Sequence, residues 1–334
     1  MNILYSCDDK YSPYTGISIT SLFENNKDLD EINVYVLGLG ISKENISKFD
    51  RLAKQYGRNI TIADVAQIDK YLDENGAIQL HGSRAPFYRL FLEQVIPDYI
   101  EKILYIDSDT VVVGSLKELE GFQFDEYKVC AMIYISIFNG YNRFIGCKKD
   151  DNYYDSGVLF FNMSNWRKLK CIKKLMENIE RGYANFFIAD QDLLCHTLND
   201  NIQVLPPKFN VVADWVAFGL KNFYFYADAN ENNFYSIQEI ESAVASPVIL
   251  HCKVGHTGTP WVKGNKNPFR YVWKEYKEIS LWKDMEQLKS KLNFKQKIQS
   301  VMYMILPRHL YCRIFKSHLK KKIWKYYSVN GHFQ

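Results

Sequence analysis

No run of apolar side chains in this 334-residue chain reaches the eighteen or so residues needed to cross a bilayer, and the longest, residues 129–138, has the length of a core strand. The amino terminus meets acids within its first ten residues, with no basic start leading into an apolar stretch, which predicts that no signal peptide is present. Seven cysteines form no Cys-x-x-Cys pair, so buried free thiols in a reducing compartment are expected. No Gly-x-Gly-x-x-Gly follows the first strand-like segment, Gly38-Leu39-Gly40 has no third glycine, and the P-loop pattern is missing. Nicotinamide and flavin binding are therefore poorly supported. Acids stop at Glu286: the last 48 residues hold eleven Lys and Arg, leaving 31 bases against 38 acids before them, a body near −7 with a basic tail. Such a tail suits an anionic partner, membrane or nucleic acid. With 47% hydrophobic residues, the chain can bury one large core, or one core and a small appendage.

What is present centres on residues 102–114, KILYIDSDTVVVG, where an apolar run delivers Asp107 and Asp109 on either side of Ser108 and resumes as a β-branched run. In an extended segment alternate side chains share a face, so the two carboxylates are expected on one side, where they repel unless a cation lies between them. Hard divalent ions take carboxylate oxygens and share them with substrate phosphates, which makes a metal–diphosphate the expected ligand; the bland alternative is a turn joining two strands. Asp-x-Asp occurs twice more. Asp28-Leu29-Asp30 reads as a solvated turn, and Asp190-Gln191-Asp192 opens a helical pattern, where acids are favoured by the helix dipole whatever their chemistry.

Around this segment, strands alternate with helical patterns of ten to fifteen residues, so the fold class is α/β with a largely parallel sheet. Residues 2–7 read as the first buried strand, ending in Asp8 and Asp9, and residues 32–37 and 59–65 as further strands around a helix capped by Ser42 and closed by Gly57. Arg89, in a short helix over residues 86–94, is either a surface charge or a phosphate contact. Asp155-Ser156-Gly157 precedes another strand, and Ser164 is expected to cap a long helix through Glu180. Residues 209–226 are aromatic and irregular, suiting a substrate lining or an aromatic core equally. The last strand feeds His251, read as a hydrogen-bonded filler or a ligand, followed by a loop with Gly255, Gly258, Pro260 and Trp261.

Five segments, in order, resemble the motifs of the retaining glycosyltransferases of family 8, which contains bacterial lipopolysaccharide galactosyl- and glucosyltransferases and glycogenin. They are NILYSCDDKY, FYRLFL with Arg89, LYIDSDTVVVG, YDSGVLFFNMSNWR and ADQDLL; the loop from His251 to Trp261 resembles the family's last motif. The resemblance covers roughly residues 1–280 and implies a GT-A fold, a UDP-hexose donor, and Mn²⁺, with Mg²⁺ as the alternative, held by Asp107, Asp109 and His251. It further implies that Asp8, Asp9 and Tyr11 hold uracil and ribose, Arg89 the sugar or diphosphate, and Asp155, Asp190 and Gln191 the hexose, with Gln191 near the anomeric carbon. Ser108 and Gly255 count among its donor-binding positions. Two departures stand out: the family often has Asn where Asp155 stands, and a lysine directly before Pro-Trp where this chain has Thr259, with Lys253, His256 or Lys263 as candidate substitutes. A carboxamide is a poor nucleophile, so Gln191 suits a front-face mechanism, whereas a covalent one would use Asp190 or Asp155. The expected acceptor is a surface-glycan, lipid-linked or protein-linked sugar; a non-catalytic nucleotide-sugar-binding subunit is the alternative.

Residues 281–334 form the basic tail. Ile298, Val301, Met302 and Ile305, then Leu310, Ile314, Phe315, Leu319, Ile323, Trp324 and Tyr327, recur at helical spacing among Arg313, Lys316, Lys320, Lys321, Lys322 and Lys325. An amphipathic helix of this composition suits the plane of an anionic bilayer, which predicts a cytoplasmic protein peripheral to the inner face of the cell membrane. The competing reading packs the apolar face on the catalytic domain. No nucleic-acid-reading motif accompanies the charge.

Overall fold

The β-branched and aromatic runs become strands in the computed structural model, which describes residues 1–80, 82–148, 151–230, 234–252, 256–290 and 293–330. In chain order they are β1 (Asn2–Asp8), β2 (Asn33–Leu39), β3 (Asn59–Asp64), β4 (Lys102–Ile106), β5 (Thr110–Val112), β6 (Cys130–Met132), β7 (Val158–Asn162), β8 (Ile202–Val204), β9 (Val211–Val212) and β10 (Ile249–His251). The larger sheet has the order β3-β2-β1-β4-β7-β6-β8, parallel except for β7, which runs against both its neighbours. The expected α/β class with a mostly parallel sheet is what the chain adopts. After β3 the chain crosses back to lay β4 on the other side of β1, so the carboxyl ends of β1 and β4 open a crevice at the reversal, where ligands of such sheets bind.

A second, three-stranded sheet, β5-β10-β9, carries the remaining half of the site. Its register sets His251 opposite Thr110, one residue beyond Asp109, and the Cys252 N–H donates to the Asp109 carbonyl at 2.9 Å. The segment between β4 and β5 is a turn rather than extended chain. Strand alternation is therefore not what brings Asp107 and Asp109 together; the turn does.

That turn is held from behind by the helix Ser12–Glu24, which is opened by a proline in its first turn and presents a hydroxyl at every third position. Thr15 Oγ1 lies 2.8 Å from Ser108 Oγ, Ser18 Oγ lies 3.1 Å from Thr110 Oγ1, and Ser21 Oγ accepts from the Val112 N–H at 2.9 Å. These short side chains let the helix approach closely while satisfying every hydroxyl they bury.

Three sequence expectations are corrected. The helix expected from Ser164 to Glu180 is two, Met163–Lys168 and Cys171–Glu180, separated where Lys170 takes φ 54°, and its cap is Asn162, whose side chain accepts from the Asn165 N–H; such a cap is worth about 1 kcal/mol. Asn162 outcompetes Ser164 because β7 ends on it. Residues 209–226 are mainly helical, with Ala213–Phe218 and Leu220–Ala227 burying Trp215, Phe218 and Phe223. The segment around Arg89 is one α-turn, Ala85–Tyr88, running into a 3₁₀ stretch, Arg89–Gln94.

Beyond the boundary expected at residue 280 the packing is continuous. Trp282 is buried against Phe49, its indole N–H donates to Asn45 Oδ1 at 3.0 Å, and its ring fills the space a Cβ on Gly16 would need, about 2.0 Å away. The helices Phe294–Ile305 and Arg308–Asn330 then bury Tyr303, Tyr311, Cys312, Ile323 and Tyr327 against the body.

Candidate functional site

β4 is an entirely apolar strand apart from its first residue, buried from Ile103 to Ile106, and its register against β7 pairs Ile106 with Val158. The first residues past each strand therefore meet: the Asp107 N–H donates to the Gly157 carbonyl at 2.8 Å. Two stretches far apart in sequence, Asp-Ser-Asp and Asp-Ser-Gly, become one wall, and β10 adds His251 to it.

Among the described residues, Asp107, Asp109 and His251 offer ligand atoms that all lie within 4.8 Å of one another. His251 Nε2 is 3.1 Å from Asp109 Oδ1 and 3.9 Å from Asp107 Oδ2. On the other side of the ring Nδ1 lies 3.0 Å from Asn210 Oδ1, and the Asn210 amide donates to Asp155 Oδ1 at 2.8 Å. Since Asn210 Oδ1 only accepts, Nδ1 carries a proton and Nε2 is the nitrogen turned to the aspartates. Gly157 makes room for this ring: a Cβ there would lie 2.2 Å from His251 Cε1.

Arg89 is buried beneath the aspartates. Its guanidinium donates to Asp107 Oδ1 at 3.0 Å and to the Ser156 carbonyl, lies 2.9 Å from Asp190 Oδ2, and stacks over the Tyr105 ring at 4.3 Å. Tyr105 in turn donates to Asp107 Oδ1 at 2.5 Å. Acid outnumbers base here. Burial raises the Asp107 pKa, Arg89 opposes the rise, and Asp109 adds to it. Burial likewise pushes Asp190 up to about 6 against the pull of Arg89. Burial alone would lower the His251 pKa, but Asp109, Asp155 and Asp107 outweigh it and raise it to about 9.

The other expected site residues distribute unevenly. Ser108, Tyr11, Asp107 and Asp109 line one cleft with Ser6, Tyr105 and Pro86. The Asp8 carboxylate accepts from the Tyr11 N–H at 3.0 Å, and Tyr11 meets Trp261 edge-on, while Trp261 stacks on Tyr14 with ring centroids 4.2 Å apart. Gln191 is buried next to Ser156, whose N–H it accepts at 3.1 Å. Asp9 faces elsewhere: its carboxylate accepts from the Ser42 N–H and the Asn45 amide, both at 2.8 Å, tying β1 to the start of the helix Lys43–Tyr56. Asp155 sits behind His251 Nδ1, 3.7 Å away, so its charge bears on the imidazole. Of the three substitutes considered for the missing lysine, His256 is packed into the C-terminal helices, with Tyr311 OH at 2.6 Å and Gln299 Nε2 at 2.9 Å, Lys263 is exposed, and Lys253, like Gly255, lies outside the described residues.

Asn210, Tyr105 and the hydroxyl face of Ser12–Glu24 hold this cluster and its turn in place, and sequence reasoning passed over them. A three-residue spacing of Ser12, Thr15, Ser18 and Ser21 was there to find. Asn210, a single residue between short elements, carries no such signal.

Comparisons with known proteins agree with this geometry. The sequence profile described as Glycosyl transferase family 8 matches residues 2–263. General stress protein A of Bacillus subtilis is 24% identical over 84% of this chain and 94% of its own length. A lipopolysaccharide 1,2-glucosyltransferase of Escherichia coli is 26% identical over 63% of this chain, which spans 62% of that enzyme's length. Among solved structures, the galactosyltransferase LgtC in complex with donor and acceptor sugar analogs superposes with a TM-score of 0.70 at 23% identity, covering 90% of this chain and all of that one, and so shares its GT-A fold. With the family profile covering most of its length and the family's motifs gathered into one wall, this chain belongs to glycosyl transferase family 8.

Proposed function

We propose that the chain is a metal-dependent, retaining hexosyltransferase that moves glucose or galactose from UDP to a surface-glycan, lipid-linked or protein-linked acceptor. The observation that carries this reading is the convergence of Asp107, Asp109 and His251 at the end of β4. Two carboxylates and an imidazole form a donor set suited to Mn²⁺ or Mg²⁺, and the Gly157 cradle with the Asn210 contact orients the imidazole toward it. A divalent ion held by these three side chains would neutralise charge gathering on the departing UDP. Asp8 and Tyr11, at the end of β1, border the same crevice as candidates for the uridine, with Trp261 as an aromatic wall. Arg89 and Asp190 form the floor on which the sugar would rest.

Front-face retention fits the side chains better than a covalent step. Asp190 is ion-paired with Arg89 and Asp155 accepts from the Asn210 amide, so each carboxylate already has one oxygen engaged. Gln191 can instead support positive charge developing at the anomeric carbon through its carbonyl oxygen. The same reading assigns the tail to an anionic membrane surface at the inner face of the cell membrane. No helix of the described residues is long and apolar enough to cross a membrane, but Ile298, Val301, Ile305, Leu310, Ile314 and Trp324 are exposed, with Arg313, Lys321 and Lys325 beside them.

The test is hydrolysis of UDP-glucose and UDP-galactose by the purified full chain with Mn²⁺. Release of UDP that stops in excess chelator and returns with Mn²⁺ is the expected result. No release from any UDP-hexose, with the chain folded, would leave the non-catalytic binding subunit as the better reading.

A further inference from the structure

Gln191 makes two hydrogen bonds of fixed polarity. The Ser156 N–H can only donate, so the atom 3.1 Å from it is the carbonyl oxygen Oε1. The opposite end of the carboxamide, Nε2, donates to the Tyr153 hydroxyl at 2.9 Å. That hydroxyl has a single proton, which goes to Asp192 Oδ1 at 2.5 Å. An ionised Asp192 accepts only, so it obliges Tyr153 to donate to it and to receive from Gln191. Both ends of the amide therefore agree on one orientation. The oxygen faces Ser156, whose own carbonyl takes Arg89 beside Asp107, and the nitrogen faces the interior.

Asp192 is fully buried and held by donors on every side. Oδ2 accepts from Tyr141 at 2.7 Å and from the Ile188 N–H at 2.7 Å, and Tyr327 adds a hydrogen bond from the C-terminal helix. None of these groups is among the residues that line the cleft of Asp107 and Asp109. A buried carboxylate with four donors and, among the described residues, no counter-ion is a costly thing to maintain for packing alone.

We propose that Asp192 and Tyr153 are positioning residues for the transfer reaction: they form a proton-ordered relay that holds the Gln191 carboxamide with its oxygen toward the donor sugar. The inference rests on the reading of Gln191 as the group beside the anomeric carbon. Without the relay only the Ser156 N–H still selects the orientation, so the flipped amide is populated more often and turns its N–H toward the developing cation, where it repels and the oxygen attracts. Ground-state binding, made elsewhere, is left in place.

Four variants test it against a structural role, with UDP-hexose hydrolysis as the readout. Tyr153→Phe and Tyr141→Phe each delete one hydroxyl from Asp192 and should lower Tm by similar amounts. Tyr141→Phe leaves Oδ2 its Ile188 contact and the relay intact, so its kcat should stay within about threefold of the parent, whereas Tyr153→Phe should lose about thirtyfold in kcat with donor KM little changed. Asp192→Asn can donate to Tyr153 and reverse the relay, so it should match Tyr153→Phe. In a Gln191→Ala background, itself reduced in kcat, Tyr153→Phe should lower kcat no further, because the group it positions is gone. Equal kcat losses in Tyr153→Phe and Tyr141→Phe, or a full additional loss in the double variant, would overturn the relay while leaving the functional reading standing. A folded parent chain that hydrolyses no UDP-hexose would overturn both.

Discussion

Asp190 and Asp192 lie two residues apart on one helix, are both buried, and are both pushed up to about 6 by burial, yet they are compensated in opposite ways. Asp190 leans on a charge, Arg89, that also holds Asp107. Asp192 leans on neutral hydroxyls and an N–H that have no other charged partner among the contacts described. The first arrangement is adjustable, because one guanidinium serves two carboxylates and, on the proposed reading, a cation and a diphosphate would change its share between them. The second is fixed, because every donor is anchored in the core. One motif, Asp-Gln-Asp, thus joins a wall that rearranges its charge to a wall that does not, with Gln191 between them.

The sharpest way to separate the walls is to remove charge from the adjustable one. Asp107→Asn or Asp109→Asn should abolish UDP-hexose turnover, by about a thousandfold or more at saturating donor, because the remaining ligands hold the cation and diphosphate undercompensated. Stability should hardly fall. Burial, with Asp109, outweighs Arg89 in disfavouring the ionised Asp107, and Arg89 keeps Asp190 when the Asp107 charge is removed, so Tm in chelator should stay within a few degrees of the parent. Normal turnover in either variant would remove the metal site from the mechanism, and a large drop in Tm would make the cluster a structural one.

How far the sequence reached follows the same division. That Asp107, Asp109 and His251 would lie together was legible through the resemblance to the family's motifs; the residues alone left open a turn joining two strands and a hydrogen-bonded filler histidine. The α/β class was legible because period-two and longer helical patterns alternate. Two things were not. Extended-chain alternation gave the right outcome for Asp107 and Asp109 for a reason the turn at Ser108 replaces, since whether a short segment continues a strand depends on the helix Ser12–Glu24 behind it. Nor could the fixed wall be seen: Tyr141, Tyr153, Tyr327 and Asp192 span most of the chain and meet only once β7 and the C-terminal helix are in position.

A pH series distinguishes the walls by the pH window of each step and by its response to Mn²⁺, since every step lowers stability as pH rises. Asp190 and Asp192 have folded pKa values near 6, above the ordinary 3.8, so the fold holds extra protons between these values and its stability declines as pH rises from about 4 to about 6. Asp192's share of that decline should be the same with and without Mn²⁺. His251 is raised instead from 6.5 to about 9, so the stabilisation by its charge is complete below about 6.5 and is lost as pH rises through about 9. Mn²⁺ must displace that proton, so its apparent affinity should climb by up to about tenfold per pH unit below 9, and saturating Mn²⁺ should erase the alkaline step in Tm. An alkaline step that persists with Mn²⁺ would mean the imidazole is not a ligand.

The smallest catalytic effect is expected at the tail, where each helix has two different faces. Tyr311, Ile323 and Tyr327 point inward, and Lys316 and Lys320 are paired with Asp228, so half of the basic, apolar pattern is used for packing on the body. Deleting the tail would therefore remove Tyr327 from Asp192 and strip the support from the fixed wall, confusing membrane attachment with catalysis. Trp324, though 57% exposed, meets the Phe144 ring of the body edge-on at 5.2 Å, so the informative changes are at Ile305, 69% exposed, and Ile314, 39% exposed. Replacing both by serine with Lys321→Glu and Lys325→Glu removes apolar area and reverses two charges without touching the inward face. Binding to vesicles of anionic lipid should drop at least tenfold, given roughly 1 kcal/mol for each basic residue near such a surface. UDP-hexose hydrolysis in solution should stay within about twofold, because no outer-face residue reaches the relay. Undiminished vesicle binding would assign the tail to packing alone, and a matching loss of hydrolysis would mean that both faces of the helix act on the fixed wall.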